Sequence, residues 1–314
     1  MNSIVASAGA EAPLRIIAGP TGAGKSALAL ALAERHGALI VSADSRQVYR
    51  GFDLGTAKPT PDEKARVRHE GLDVADPRER WSAARWAEDA AAWIAAAEAR
   101  HQPAIVVGGT GLWLRALVEP LANVPPMDPE RRSALQSTLG FLDTPTLRSW
   151  VELLDPPRAA MGRTQLLRAA EVALLTGKRL SDLHAAGASQ PRRPARWVIV
   201  DPAEELHARL SARLDAMLAS GWPDEVRALI ETVPADAPAW NACGYREIRD
   251  WVEGRRSAAE AREAILVSTR QYAKRQRTWF RNQLAGEPDV LRFDPRSDDA
   301  LDRADRWLFD GGSA

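Results

Sequence analysis

The chain has 314 residues, long enough for more than one typical domain and a large core. Lys+Arg and Asp+Glu are equal at 42 each, so net charge makes no case for a nucleic-acid partner and any such surface must come from local clustering. The single cysteine, Cys243, excludes an internal disulfide and fits a reducing compartment. Met1 to Pro13 lacks the basic and apolar regions of a secretory leader, and no apolar run reaches membrane-spanning length, so the expectation is a cytoplasmic protein with no membrane partner.

In chain order, the apolar run Leu14 to Ala18 predicts a first strand and the Ala/Leu-rich run Ala27 to Arg35 a helix. Between them lie Gly19, Pro20, Thr21, Gly22, Ala23, Gly24, Lys25 and Ser26, the G-x-x-x-x-G-K-[ST] pattern in its confirming strand-loop-helix context. Such a loop wraps phosphate oxygens with backbone N–H groups at a helix N-terminus, with Lys25 as a point charge and Ser26 as a hydroxyl for magnesium. A second strand, Ala38 to Ser42, ends in Asp44-Ser45-Arg46-Gln47-Val48-Tyr49, which puts a carboxylate at the strand edge where open α/β sheets bind ligands. A long loop, Gly51 to Pro61, follows. Ser82 caps a helix running to about His101, and Pro103 to Val107 is a third strand ending in Gly108-Gly109-Thr110-Gly111.

From about Pro120 no strand-like run appears until Trp197, while Asp128-Pro129, Thr144-Pro145 and Thr164 to Thr176 are helix signals, with a loop over Ala185 to Pro194. Arg196 to Asp201 returns to the sheet. Helices follow at Ala203 to Ser220, Pro223 to Glu231 and Ser257 to Leu284, then a strand at Val290 to Phe293 and a terminal helix from near Asp298. The expected fold is α/β, a P-loop NTPase-like parallel sheet flanked by helices. Residues 1–120 and 197–314 form the core, and 121–196 a helical insertion domain. The eleven tryptophans are read as packing residues.

Four further features can carry chemistry. Asp44 is a general base, a magnesium ligand at one remove, or a cap. Thr110 follows glycines that allow close backbone approach, and its hydroxyl can donate to a phosphate. Thr269 to Arg281 holds five basic residues and no acid, and a helix would put Arg270, Lys274, Arg277 and Arg281 on one face suited to backbone phosphates. Asn241-Ala242-Cys243-Gly244-Tyr245-Arg246 presents an aromatic and a guanidinium that could stack on an unpaired base, or is simply the turn that starts a helix.

Taken together, Gly19 to Ser26, Ser42 to Tyr49, Gly55-Thr-Ala-Lys-Pro59, Val107 to Gly111, Arg168-Ala-Ala-Glu-Val172, Gly244-Tyr-Arg246 and Lys274 to Arg281 occur in an order that resembles the tRNA dimethylallyltransferases (tRNA isopentenyltransferases). The resemblance implies transfer of a dimethylallyl group from dimethylallyl diphosphate to the exocyclic amine of the adenosine 3′ of a tRNA anticodon, by a magnesium-dependent monomer. It further implies that Gly19 to Ser26 hold the diphosphate, that Asp44 takes the amine's proton, and that Thr110 and Arg132 stabilise the transition state. It assigns tRNA contacts to Asp44, Ser45, Arg46 and Gln47, to Thr164, Gln165, Leu166, Leu167 and Arg168, to Asn241, Ala242, Cys243, Gly244, Tyr245 and Arg246, and to Lys274, Arg275, Gln276, Arg277, Thr278, Trp279, Phe280 and Arg281. The insertion, with Arg158, Arg163, Arg168, Arg192 and Arg193, would grip the anticodon stem, and Arg209 and Arg213 would add diphosphate contacts. The family usually has a basic residue at the position of Gln165 and leucine at that of Ala170. The alternative carried by the phosphate loop alone is a small-molecule or nucleotide kinase.

Overall fold

The structure, a computed structural model, describes residues 12–119, 121, 124–187 and 192–310. It divides into two compact units, one made of the chain up to Val118 and from Arg193 onward, the other of Glu119–Arg192.

In the larger unit, β1 (Leu14–Ala18) leads through the phosphate loop into α1 (Lys25–His36), which stops at Gly37 in the left-handed conformation. Then come β2 (Leu39–Ser42), α2 (Pro61–Arg66), the two-residue β3 (His69–Glu70), α3 (Ala83–Glu98), β4 (Ala104–Gly108) and α4 (Gly111–Val118). The expected loop from Gly51 is real up to Thr60, whose capping box with Glu63 starts the helix α2 that the sequence reading did not anticipate.

In the smaller unit lie α5 (Pro129–Phe141), α6 (Thr144–Leu154), α7 (Arg163–Thr176) and α8 (Leu180–Gly187). Each of the first two is capped by an aspartate, Asp128 and Asp143, and has a proline in its first turn. Leu139, Leu147, Val151, Leu166, Ala169 and Ala170 make a core of their own. Ala185 to Gly187 are helical, which shortens the expected loop; 188–191 lie outside the described residues.

Back in the larger unit are β5 (Ala195–Val200), α9 (Leu206–Ala219), α10 (Trp222–Thr232), α11 (Tyr245–Val252), α12 (Ala258–Gln283), β6 (Val290–Phe293) and α13 (Ala300–Asp305). Because β5 begins at Ala195, the strand takes two residues that the sequence reading gave to the insertion. The sheet is parallel throughout in the order β3-β2-β4-β1-β5-β6. Its central strands are buried on both faces, as crossover helices require. On one face α1 and α13 pack with Trp307 and Leu308 over Ile17, Ile105 and Val198. Trp86 and Trp113 stack at 5.1 Å, and the Trp86 indole donates to the Ser42 carbonyl. With β1 between β4 and β5, the phosphate loop opens at the middle of the carboxyl edge, beside the ends of β2 and β4.

Candidate active site

The phosphate loop, the segment after β2, the end of β4, and helices α9 and α12 enclose a cavity of about 490 Å3. Lys25, Ser26, Asp44, Arg209 and Arg213 line it, as do the apolar Leu210, Leu214, Met217, Ile265 and Trp222. The Lys25 ammonium donates to the Pro20 carbonyl at 2.8 Å. Burial, reinforced by the Arg213 charge and only partly offset by Asp44, lowers the Lys25 pKa to about 8. Burial likewise lowers that of Arg213, against the opposing pull of Asp44. Arg209 donates through Nε to the Gly22 carbonyl at 3.0 Å, which pins α9 to the loop. Lys25, Arg209 and Arg213 thus place three cationic side chains along one cavity, a concentration of positive charge suited to an anionic ligand.

Asp44 caps its own turn, accepting from the Arg46 amide at 2.9 Å through Oδ1. Thr110 Oγ1 accepts from the Ser45 amide at 3.1 Å, and its own amide donates to the Ala43 carbonyl at 3.3 Å. The ends of β2 and β4 are thereby stitched together. Gly108 makes this possible, because a Cβ there would lie 2.2 Å from the Ala43 oxygen. Tyr272 on α12 hydrogen-bonds the Thr110 side chain, and burial, with Asp44 nearby, pushes its phenol pKa well up. Gln47 is spent on structure: Oε1 accepts from Ser42 Oγ at 2.8 Å while Nε2 donates to the carbonyls of Thr56 and Ala57. The same loop is anchored by buried Lys58, which donates to the Tyr49 carbonyl and to Asp53 and Asp73.

Among the described residues no group of three or more His, Cys, Asp or Glu could hold a metal. Ser26 and Asp44 nonetheless offer a hydroxyl and a carboxylate in one cavity. That donor set suits a hydrated divalent cation shared with phosphate oxygens, and not an all-protein cage.

Several residues expected at the RNA are buried or already paired within the fold. Tyr245 is fully buried; its ring packs among Phe52, Trp222 and Trp240. Its hydroxyl donates to Glu225 at 2.6 Å and accepts from the Gly55 amide at 3.1 Å. No face is left for a base to stack on, so the stacking expectation is corrected. Of that segment Asn241 and Arg246 are exposed and paired with each other at 2.6 Å, while Ala242 is buried. Cys243 contacts Ser268 and Thr269 at the cavity wall.

On α12 the expected single basic face divides. Lys274, Arg275, Thr278 and Arg281 are exposed, whereas Gln276 and Phe280 are buried and Trp279 packs where a Cβ on Gly111 would stand. Arg277 pairs with Asp201 at the end of β5 and donates to the Ala203 carbonyl at 2.7 Å.

Within the smaller unit, Leu166 is core and Gln165 is part of the α7 N-terminal cap, accepting from the Gly162 amide at 3.2 Å. Arg132 and Arg168 both donate to Oε1 of Glu171, at 2.6 and 2.5 Å, and Gln136 donates to its Oε2 at 2.8 Å. Glu171 is 4% exposed, so a buried carboxylate orients both arginines, a role the sequence reading did not assign. Arg193 belongs to the larger unit, where it pairs with Glu98 at 2.8 Å, and not to the insertion.

A family model described as IPP transferase matches residues 47–283. The tRNA dimethylallyltransferase of Halorhodospira halophila is 42% identical over 307 residues, covering 93% of this chain and 95% of the relative. That of Phenylobacterium zucineum is 42% identical over 289 residues, covering 90% and 94%. Among solved structures, a tRNA isopentenylpyrophosphate transferase from Bacillus halodurans superposes with a TM-score of 0.66 at 29% identity, covering 94% of this chain and 95% of that one. A homologous enzyme from Staphylococcus epidermidis gives 0.67 at 28%, covering 96% and 100%. The phosphate loop precedes the stretch matched by the family model. The chain belongs to the IPP transferase family.

Proposed function

We infer that the protein is a tRNA dimethylallyltransferase, moving a dimethylallyl group from dimethylallyl diphosphate to the exocyclic amine of the adenosine 3′ of the anticodon. The observation that carries the reading is the two-natured cavity, whose cationic loop end, Lys25, Arg209 and Arg213, shares one hollow with the apolar side chains of Leu210, Leu214 and Met217. A diphosphate with a short hydrocarbon tail requires that combination, whereas the phosphate loop alone would equally suit a kinase. Relatives matched over nine-tenths of the chain favour prenyl transfer over phosphoryl transfer.

In the reaction the amine nitrogen bonds to the allylic carbon as that carbon's bond to oxygen breaks, and diphosphate departs with the electron pair. Lys25 and Arg213 neutralise the charge gathering on the leaving group, where a dry setting strengthens their effect. Asp44 accepts the proton lost by the amine. Thr110, held by Ser45 and Tyr272, orients a phosphate oxygen. An adenine amine is a weak nucleophile, so alignment on the allylic carbon outweighs basicity. Magnesium, which Ser26 would hold, would supply further neutralisation of the leaving group when bound. Arg132, oriented by Glu171, is assigned to the transition state. The exposed Lys274, Arg275 and Arg281 are assigned to RNA phosphates, and extruding the base costs roughly a few kcal/mol.

Mass analysis of an anticodon stem-loop RNA, incubated with the protein, magnesium and dimethylallyl diphosphate, tests the reading. One dimethylallyl group should replace one hydrogen, on the adenosine 3′ of the anticodon. In Asp44→Ala turnover should collapse while the RNA still binds. Consumption of ATP with a small acceptor, and an unmodified RNA, would overturn it.

A further inference from the structure

Gln276 lies inside the segment that the family resemblance gives to the RNA, yet it is 6% exposed and faces the phosphate loop. Its Oε1 accepts from the Thr21 amide at 2.8 Å, and its Nε2 donates to the Gly109 carbonyl at 2.8 Å. Only this orientation of the amide satisfies both neighbours, since an N–H must meet the carbonyl and an oxygen must meet the N–H. The fit is close. A Cβ at Gly109 would fall 2.2 Å from Gln276 Nε2, so glycine at that position leaves room for the amide.

We propose that Gln276 is a positioning residue for the diphosphate and not an RNA contact: it holds the Thr21 turn of the phosphate loop against the end of β4, so that the remaining loop amides stay aimed at the leaving group. This rests on the prenyl-transfer reading above, and adds to it a second role for α12. Thr21 stands between Pro20, whose carbonyl receives the Lys25 ammonium, and Gly22, whose carbonyl receives Arg209. A loop held at its middle residue keeps both neighbouring carbonyls, and hence both cations, in place. Buried backbone groups that lose a partner rearrange to find another. If the Gln276 amide is removed, the Thr21 N–H and the Gly109 carbonyl are both orphaned, and the loop is free to turn toward other partners.

The test is Gln276→Met, which keeps the volume and removes both hydrogen bonds, compared with Gly109→Ala, which pushes the amide away from the other side. Titration of inorganic diphosphate reads the loop directly, independent of prenyl transfer. Steady-state kinetics with dimethylallyl diphosphate and an anticodon stem-loop, together with an RNA binding isotherm, read the rest. Both variants should weaken diphosphate binding by about tenfold or more, raise KM for dimethylallyl diphosphate and lower kcat. RNA affinity should stay within about twofold. Unchanged diphosphate binding in folded Gln276→Met, or a loss confined to RNA affinity, overturns the proposal. If one variant does not fold, the other decides by the same readings. A wild-type protein that binds diphosphate but prenylates no RNA would refute the functional reading alone and leave the role of Gln276 to the titration.

Discussion

Replacing Tyr245 by phenylalanine separates a packing role from an RNA-stacking one, because it deletes a single oxygen and keeps the ring. That oxygen donates to Glu225 at 2.6 Å and accepts from the Gly55 amide at 3.1 Å, in a residue with no exposed surface. A hydrogen bond to a charged group contributes about 1.5–3 kcal/mol, and an orphaned buried amide costs about 1–3 kcal/mol. Part of this is returned because a hydroxyl no longer has to be stripped of water. Glu225 also keeps its bonds from the Asp53 and Leu54 amides. The net expectation is a loss of about 2–4 kcal/mol, a sizeable part of the roughly 5–15 kcal/mol that holds a domain together. Urea unfolding followed by tryptophan fluorescence measures it, since Trp222 and Trp240 flank the ring. RNA affinity below the transition should match the parent protein. A variant as stable as the parent, with weakened RNA binding, would refute the placement of Tyr245 in the core.

The Lys25 ammonium makes diphosphate binding pH-dependent: with its pKa lowered to about 8, affinity should fall as pH rises above that value, and Lys25→Arg should flatten the fall. In the same protein without ligand the sign reverses. Between about 8 and the ordinary 10.5 the unfolded chain holds the proton that the folded chain has released, so stability from this group rises with pH. Isothermal titration and unfolding across that window check the two halves. On α12, Lys274→Ala and Arg281→Ala should each weaken RNA binding and reduce its salt slope by about 1, whereas Arg277→Ala should cost about 1 kcal/mol of stability through loss of its Asp201 pair and leave the slope nearly unchanged. Equal slopes in all three would reject the division of the helix into two faces. Glu171→Ala removes the shared partner of Arg132 and Arg168; kcat should drop by about tenfold or more, and Glu171→Gln should recover part of it by keeping acceptor and donor capacity.

Much of the site was legible because it depends on neighbours in sequence. The phosphate loop follows from glycine spacing between a strand and a helix, and Asp44 reaches the cavity because a parallel strand ends just before it. The helix stops at Gly37 and the starts at Asp128 and Asp143 need only local capping chemistry. The two-residue β3 and the capped turn of α2 escaped, since so short a strand has no period of its own and a proline-rich loop hides a helix of six residues.

What the tertiary structure alone decided is which side of each segment turns inward. Ala273, Gln276 and Phe280 recur at helical spacing on α12, a buried stripe that basic neighbours masked; an amide on that stripe is neither plainly apolar nor plainly exposed. The burial of Tyr245 and Glu171 was hidden because their partners lie far along the chain: Gly55 and Glu225 for the tyrosine, Arg132 and Gln136 for the glutamate. Chain-local chemistry determines that a glycine-rich loop between strand and helix and a basic helix exist. Burial determines which of their polar groups remain available to a ligand, because a side chain that has already found its partner inside the fold gains little by exchanging it for one outside.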